Sequence, residues 1–373
     1  VPELVVLTEQ LLAPVPGGTG RYTRELAAAL ARTAPPGWTV TGAVARCADP
    51  SAAVIPGVAG PRVLALPRRA LALAWQRGVP LWPGGDSVHA PTPLSPTTVK
   101  RGRGLVVTVH DAVPWTHPET LTPHGARWHR DVISRLTRRA GAIVVPTGAV
   151  AAELAEHSPG SAGVHVVGHG VSAAVLEEPA QAGQIARRLD LPPRYVLAVG
   201  TLEPRKGIDV LIEAMSLPGA PDLPLLLAGP PGWGEVDVHR LAAARSLSPE
   251  RVRSLGLLTD AELAVVLRGA TVLAAPSLAE GFGLPLLEAM AAGVPVVHSD
   301  APALVEVAGG TGVIARRGDP VALVSALRTV LDDPGRTIAA ARERAAGFTW
   351  RAAAQAVWQV HLELHRAAHG RLP

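Results

Sequence analysis

Cysteine is almost missing: Cys47 stands alone in 373 residues. No intrachain disulfide can form, so packed cores must hold the fold, as suits a reducing, cytoplasmic setting. Aromatic residues are scarce at 3%, against 48% hydrophobic residues overall. The cores must therefore be built mainly from Ala, Val and Leu. No apolar run reaches the roughly 18 residues that a membrane-spanning helix needs. Val1 to Leu7 has no basic leader region and no cleavage site, and reads as a first strand rather than a signal peptide. Zinc-finger and helix-turn-helix spacings are absent, and aromatic and basic residues do not interleave, so nucleic acid is not an expected partner. No Asp-x-Asp occurs; Asp332 and Asp333 are adjacent, in a surface-like turn. Lysine is nearly absent too: Lys100 and Lys206 stand among 35 basic residues.

What is present is unevenly placed. Residues 1–178 carry 16 basic and 12 acidic side chains, and residues 179–373 carry 19 of each, so the whole net charge of +4 lies in the first half. Solvated helix faces explain such an excess, and so does a surface that meets an anionic acceptor or lipid headgroups.

Short apolar runs alternate with helical patterns along the whole chain. Leu4 to Leu7, Leu105 to Val109, Tyr195 to Gly200, Leu225 to Gly229 and Ala270 to Ala275 read as buried parallel strands. A polar, proline-containing stretch, Glu177 to Gln184, reads as a linker. The expectation is α/β: two Rossmann-like, doubly wound parallel-sheet domains, residues 1–178 and 185–348, each binding ligand at the C-terminal edges of its strands.

Four stretches carry chemistry. Pro14 to Gly20 is a glycine-rich loop between the first strand and a helix expected from Arg21 to Arg32; Gly18 and Gly20 would let backbone approach a ligand. It is not a dinucleotide fingerprint, because Thr23 stands where the third glycine belongs. His110 and Asp111 end a central strand. Thr201-Leu202-Glu203-Pro204-Arg205-Lys206-Gly207 follows another, and a lysine where arginine is so preferred suggests a compact point charge. The fourth runs from Ser277 to Met290 as strand, turn and helix, with Glu280 and Glu288 eight positions apart. Pro285 suits a first helical turn, and the N–H groups of Phe282, Gly283 and Leu284 would suit a diphosphate.

In order and context these stretches resemble glycosyltransferase family 4, the retaining transferases of the GT-B fold, over nearly the whole chain. The wording around Thr-Gly-Arg-Tyr-Thr-Arg-Glu-Leu, Thr-Leu-Glu-Pro-Arg-Lys and Gly-Trp is most similar to the mannosyltransferase B-like branch. The resemblance implies two domains facing a central cleft, the first binding acceptor and the second the donor, with a C-terminal helix (349–373) crossing back onto the first. It implies that Glu280 contacts donor-sugar hydroxyls and Glu288 the ribose. Gly281, Phe282, Gly283 and Leu284 would bind the diphosphate through their backbone, with Arg205 and Lys206 neutralising the leaving group. His110 would stand near the donor sugar, with Asp111 on the acceptor side and Gly18 and Gly20 near the reaction centre. Thr201 would belong to the donor-binding set with Gly18 and Gly20, although it departs from the family pattern, which often has arginine there.

The implied activity is transfer of a hexose, mannose from GDP-mannose, to a glycan or lipid-linked acceptor in polysaccharide or glycolipid assembly. The donor is a substrate; no cofactor or metal is expected, since Asp-x-Asp is missing and Lys206, Arg205 and a helix N-terminus supply charge. Front-face attack is favoured over two displacements, because no nucleophile is evident. The expected setting is cytoplasmic, with peripheral contact at the inner membrane face through the basic first domain. The alternatives are another UDP-, ADP- or GDP-sugar donor, a sugar-nucleotide-binding protein without turnover, and a nicotinamide oxidoreductase, which the missing third glycine disfavours.

Overall fold

The structure is a computed structural model and describes residues 1–232, 234 and 236–369. It divides into two units, one of residues 1–116, 123–170 and 349–373, the other of 117–122 and 171–348. The chain thus passes from the first unit to the second at Gly170–Val171, ahead of the polar stretch Glu177–Gln184. The reason is packing: Val175, on the short helix Ala173–Leu176, is buried in a core of the second unit.

The first unit holds β1 (Glu3–Leu7), β2 (Thr39–Arg46), β3 (Ala59–Pro67), β4 (Ser87–Ala90), β5 (Gly104–Thr108), β6 (Ala142–Val145) and β7 (Gly163–Val166). They form one sheet in the order β3-β2-β1-β4-β5-β6-β7, every pair parallel. Strand geometry sends alternate residues to opposite faces. Val5, Leu7, Val88, Ala90, Leu105 and Val107 pack into one core with Val132, Ile133 and Leu136 of the helix Pro123–Arg139. Their neighbours, among them His89 and Thr108, belong to the other face.

That other face carries the helix Gly17–Arg32 and the terminal helix Trp350–His369. Trp350, Ala353, Ala354, Val357, Trp358 and His361 are buried, the three-and-four spacing of one helix face. Ala356, which an apolar pattern assigns to that face, is exposed, and His361, which hydropathy assigns to solvent, is fully buried. Trp358 Nε1 donates to Leu30 O at 3.0 Å, tying the two helices together.

The second unit holds β8 (Val196–Val199), β9 (Leu225–Ala228), β10 (Val252–Gly256), β11 (Val272–Ala275), β12 (Val296–Ser299) and β13 (Val313–Ala315). Its sheet is also parallel, in the order β10-β9-β8-β11-β12-β13. Val196 and Ala198 enter one core while Leu197 enters the other, so both faces are covered. In both sheets strand order reverses once, between β1 and β4 and between β8 and β11. Such switch points open a crevice at the strands' C-terminal ends, where ligands bind.

Candidate functional site

In the second unit the two sequence stretches of interest leave the two strands that flank the switch point. Gly200 to Gly207 follows β8, and Pro276 to Gly283 follows β11. Two glycines allow the close approach. At Gly207, φ is +65° and a Cβ would stand 2.4 Å from Pro276 O; at Gly283, φ is +94° and a Cβ would stand 2.4 Å from a Leu304 methyl. A side chain at Gly207 would force the two turns apart, and one at Gly283 would press on Leu304. Leu278 N donates to Arg205 O at 2.8 Å, binding one turn to the other.

Glu280 is the centre of the site. Its Oε1 accepts from Lys206 Nζ at 2.6 Å and from Ser277 Oγ at 2.7 Å, and its Oε2 accepts from Arg205 Nη1 at 3.0 Å. Arg205 Nη1 also donates to Ala279 O at 2.9 Å, and Nη2 to Glu203 Oε1 at 2.6 Å. The glutamate side chain is 11% exposed. Burial alone would push its pKa up, but the charges of Lys206 and Arg205, with hydrogen bonds from Lys206 and Ser277, hold it down at about 2. Two cations and two carboxylates therefore neutralise one another. A cavity of about 20 Å³ lies among Gly200, Lys206, Glu280 and Gly283, room for about one water. An anion reaching Lys206 or Arg205 meets a cation already paired with a carboxylate.

The helix Leu284–Ala292 begins directly behind this network, with Gly283 as its cap and no side-chain cap bond. Pro285 lies in its first turn, as its missing N–H favours. Phe282 contributes backbone to the turn, but its ring is core: it is buried and meets Phe348 edge-on at 5.8 Å. Gly281 is buried as well. Glu288 lies on the same helix and is 1% exposed. Thr201 is half-buried beside Gly232, where a Cβ would stand 2.5 Å from the Thr201 methyl. Trp233, of the Gly-Trp pair in the loop after β9, lies outside the described residues.

In the first unit His110 and Asp111 follow β5. His110 Nε2 lies 2.8 Å from Pro91 O, just beyond β4. A carbonyl only accepts, so Nε2 carries the proton and Nδ1 is the acceptor nitrogen. Burial lowers the His110 pKa, opposed by the bond to Pro91 and the charge of Asp111. The ring of Tyr22 meets His110 edge-on at 4.7 Å. Asp111 Oδ1 accepts from Val113 N at 3.1 Å. Both residues line a cavity of about 360 Å³ with Gln10, Arg68, Thr92 and Trp128, large enough for a small ligand.

Gly18 and Gly20 depart from expectation. They are in the first turn of the helix Gly17–Arg32, not in a loop. Glycine is a poor helix former, which made a loop the natural reading. Within the helix, glycine suits position 20, because a Cβ there would stand 2.3 Å from Cβ of the capping Pro16, four residues earlier. Residue patterns also passed over Ser277, Glu203, Tyr22 and Trp128. Ser277, three residues before Glu280, and Tyr22, one of two tyrosines, carried the available signals.

Among the described residues no three His, Cys, Asp or Glu side chains gather as a metal site, and no helix is long and apolar enough to cross a membrane.

Comparison with known proteins agrees across both units. The family model of Glycosyltransferase Family 4 matches residues 16–175, and that of Glycosyl transferases group 1 matches 184–347. The chain is similar to an O-antigen chain mannosyltransferase B of Escherichia coli, 42% identical over 42% of each chain. It is similar to a D-inositol 3-phosphate glycosyltransferase of Corynebacterium diphtheriae, 34% identical over 69% of this chain and 64% of the relative. The match thus spans 42% to 64% of these relatives' lengths. Among solved structures, a sucrose-phosphate synthase from Thermosynechococcus elongatus has TM-score 0.77 at 25% identity, covering 98% of this chain and 100% of that one. The HepE protein of Anabaena, solved with UDP and glucose, has TM-score 0.73 at 19% identity, covering 97% and 100%. With matches to both of its units and GT-B neighbours along its length, this chain belongs to glycosyltransferase family 4.

Proposed function

We propose that the chain is a retaining hexosyltransferase that moves mannose from GDP-mannose to a hydroxyl of a glycan or lipid-linked acceptor in polysaccharide or glycolipid assembly. The observation that carries this reading is the Glu280–Lys206–Arg205–Ser277 network at the switch point of the second sheet, directly before a helix N-terminus. Departure of a nucleoside diphosphate leaves negative charge on phosphate and positive character on the sugar. Lys206, Arg205 and the backbone of 281–284 answer the first, and Glu280 answers the second by holding sugar hydroxyls. Donor binding then exchanges partners: phosphate takes the two cations, and Glu280, released from them, takes the sugar. Glu288 holds the ribose. His110, with Nδ1 as acceptor, and Asp111 serve the acceptor hydroxyl, with Gly18, Gly20 and Thr201 at the margins. Attack comes from the leaving-group face, so the C–O bond to phosphate breaks as the acceptor oxygen bonds the same carbon. The acceptor's proton passes to a phosphate oxygen, and no metal is required. The positive excess of residues 1–178 suits an anionic acceptor or the inner face of a membrane.

Mannose rests on the likeness to a mannosyltransferase B. A UDP-sugar is the second reading, favoured by a fold neighbour solved with UDP-glucose. Thermal-shift measurement against GDP, UDP, ADP and their sugars ranks the donors, because the bound nucleotide raises Tm by mass action. GDP-mannose is expected to give the largest shift and slow GDP release, with Lys206→Ala lowering release at least about 100-fold. Equal shifts for every donor, with release unchanged in Lys206→Ala, would sink the transferase reading and favour simple nucleotide binding.

A further inference from the structure

Three buried histidines of the first unit, His89, His169 and His361, have no part in the reaction as drawn, and two of them form a chain. Ser87 Oγ is 3.4 Å from Gly104 O, and 2.7 Å from His361 Nδ1. His361 Nε2 is 3.2 Å from His89 Nδ1, and His89 Nε2 is 3.2 Å from Thr108 Oγ1. Thr108 Oγ1 is 2.8 Å from the Tyr22 hydroxyl. Ser87, His89, Thr108, His361 and Tyr22 are each at most 2% exposed. Gly104 O only accepts, so it fixes the order of donors. Ser87 donates to Gly104, His361 Nδ1–H to Ser87, His89 Nδ1–H to His361, Thr108 to His89, and Tyr22 to Thr108. Every donor has one acceptor, and both histidines are neutral Nδ1–H tautomers.

The chain ends at Tyr22, the nearer of two rings that pack against His110, at 4.7 Å against 5.8 Å for His169. Neither a strand nor a helix holds His110; it rests on the bond to Pro91 O, on Tyr22, which meets it at 4.7 Å with rings nearly perpendicular, and on His169 at 5.8 Å. On another side Tyr22 meets His169 at 4.6 Å, and His169 stacks on Trp350. Both the hydrogen bonds and the stacked rings therefore run from the terminal helix to His110.

We propose that Tyr22 and His361 are positioning residues for the His110 site: the buried chain from the terminal helix fixes the Tyr22 ring, and the ring fixes the imidazole of His110. The effect on turnover rests on the transferase reading given above; the effect on His110 itself does not. Thr108 stands at the end of β5, two residues before His110, so an altered chain also disturbs the strand end that leads into the site.

The test uses the full chain labelled with ¹⁵N-histidine, as wild type, Tyr22→Phe, His361→Phe, His361→Gln and the Tyr22→Phe/His361→Phe double variant. In the wild type, His89 and His361 are expected to show Nδ1–H signals and His110 an Nε2–H signal. Tyr22→Phe and His361→Phe should each move the His110 signals and lower kcat by about tenfold, with donor KM changed less than about twofold. The double variant should be no worse than the poorer single one, as expected for one chain. His361→Gln, which keeps a donor and an acceptor, should recover part of the loss. Unmoved His110 signals in both single variants, or kcat losses that multiply, would overturn the proposal. If His361→Phe does not fold, Tyr22→Phe decides, since it removes only a hydroxyl. If no donor turns over, the transferase reading fails and the ¹⁵N signals alone decide the positioning role.

Discussion

The two units share a parallel-sheet plan and a switch point but stabilise their sites by opposite means. In the second unit the polar groups are full charges, two cations against two carboxylates, bound within 3.0 Å. In the first they are neutral, a run of hydroxyls and imidazoles with no carboxylate in the chain. The charged network is suited to exchanging partners with an anionic ligand. A neutral chain holds a geometry and offers a ligand nothing. The comparison separates a part that binds from a part that positions.

The largest test of that contrast is acid. Burial, and next the neighbouring charge of His110, pushes His89 down to about 3. Burial lowers His169 and His361 as well, helped by His110 and His89 respectively. An unfolded histidine titrates near 6.5, so between about 6.5 and 3 the unfolded chain binds the extra proton. Stability from these groups is therefore complete above about pH 6.5 and is lost as pH falls. His89 alone removes about 3 kcal/mol by pH 4.5, and its neighbours act in the same direction. Among the described residues of the second unit His298 is the one buried histidine held low, by burial against its backbone bonds. Hydrogen exchange followed from pH 7.5 to 4.5 should show amides of β4 and β5 losing protection before those of β8 and β11. Simultaneous loss would break the comparison.

The next effect is the charged network. Glu280 has a folded pKa of about 2, below the usual range near 4.3. Its contribution is thus present above about pH 4.3 and lost as pH falls toward 2, a window that opens about two pH units below that of the histidines. Glu280→Gln leaves Lys206 without its carboxylate and should cost about 3 kcal/mol at pH 7, read by urea unfolding. The variant should also lose the acid-dependent part of stability below pH 4.3. A cost under about 1 kcal/mol would mean that solvent screens the network as it does a surface pair.

These differences also explain what could be read from sequence. Strands such as Leu225–Ala228, and the turn from Ser277 into the helix at Leu284, are local: apolar runs, glycine and Pro285 announce them. Their chemistry is not local. Lys206 and Glu280 are 74 positions apart and meet only because β8 and β11 are neighbours in the sheet. His89 and His361 are 272 apart, and hydropathy puts a histidine on the wet side of a helix. Burial at His361 follows from the sheet face that the terminal helix covers, which no window of sequence contains. The loop expected at Gly18 and Gly20 is instead helix: propensity argued loop, while the helix starts at Gly17.

The smallest effect gives the finest comparison, because the chain has two tyrosines, one in each unit. Both are at most 2% exposed, and burial raises both pKa values. Tyr195 donates to Val266 O at 2.6 Å, a single bond to a helix carbonyl. Tyr22 instead begins the chain through Thr108 and His89. Removing either hydroxyl should therefore cost about 1 kcal/mol of stability. The two variants should part in function. Tyr195→Phe should leave donor hydrolysis within about twofold of wild type, since its hydroxyl ends on the backbone. Tyr22→Phe should lower it several times more at the same melting temperature. Equal stability loss with unequal activity loss is the signature of positioning. Equal losses of both would mean that the histidine chain is core packing, with no more say in the site than Tyr195 has.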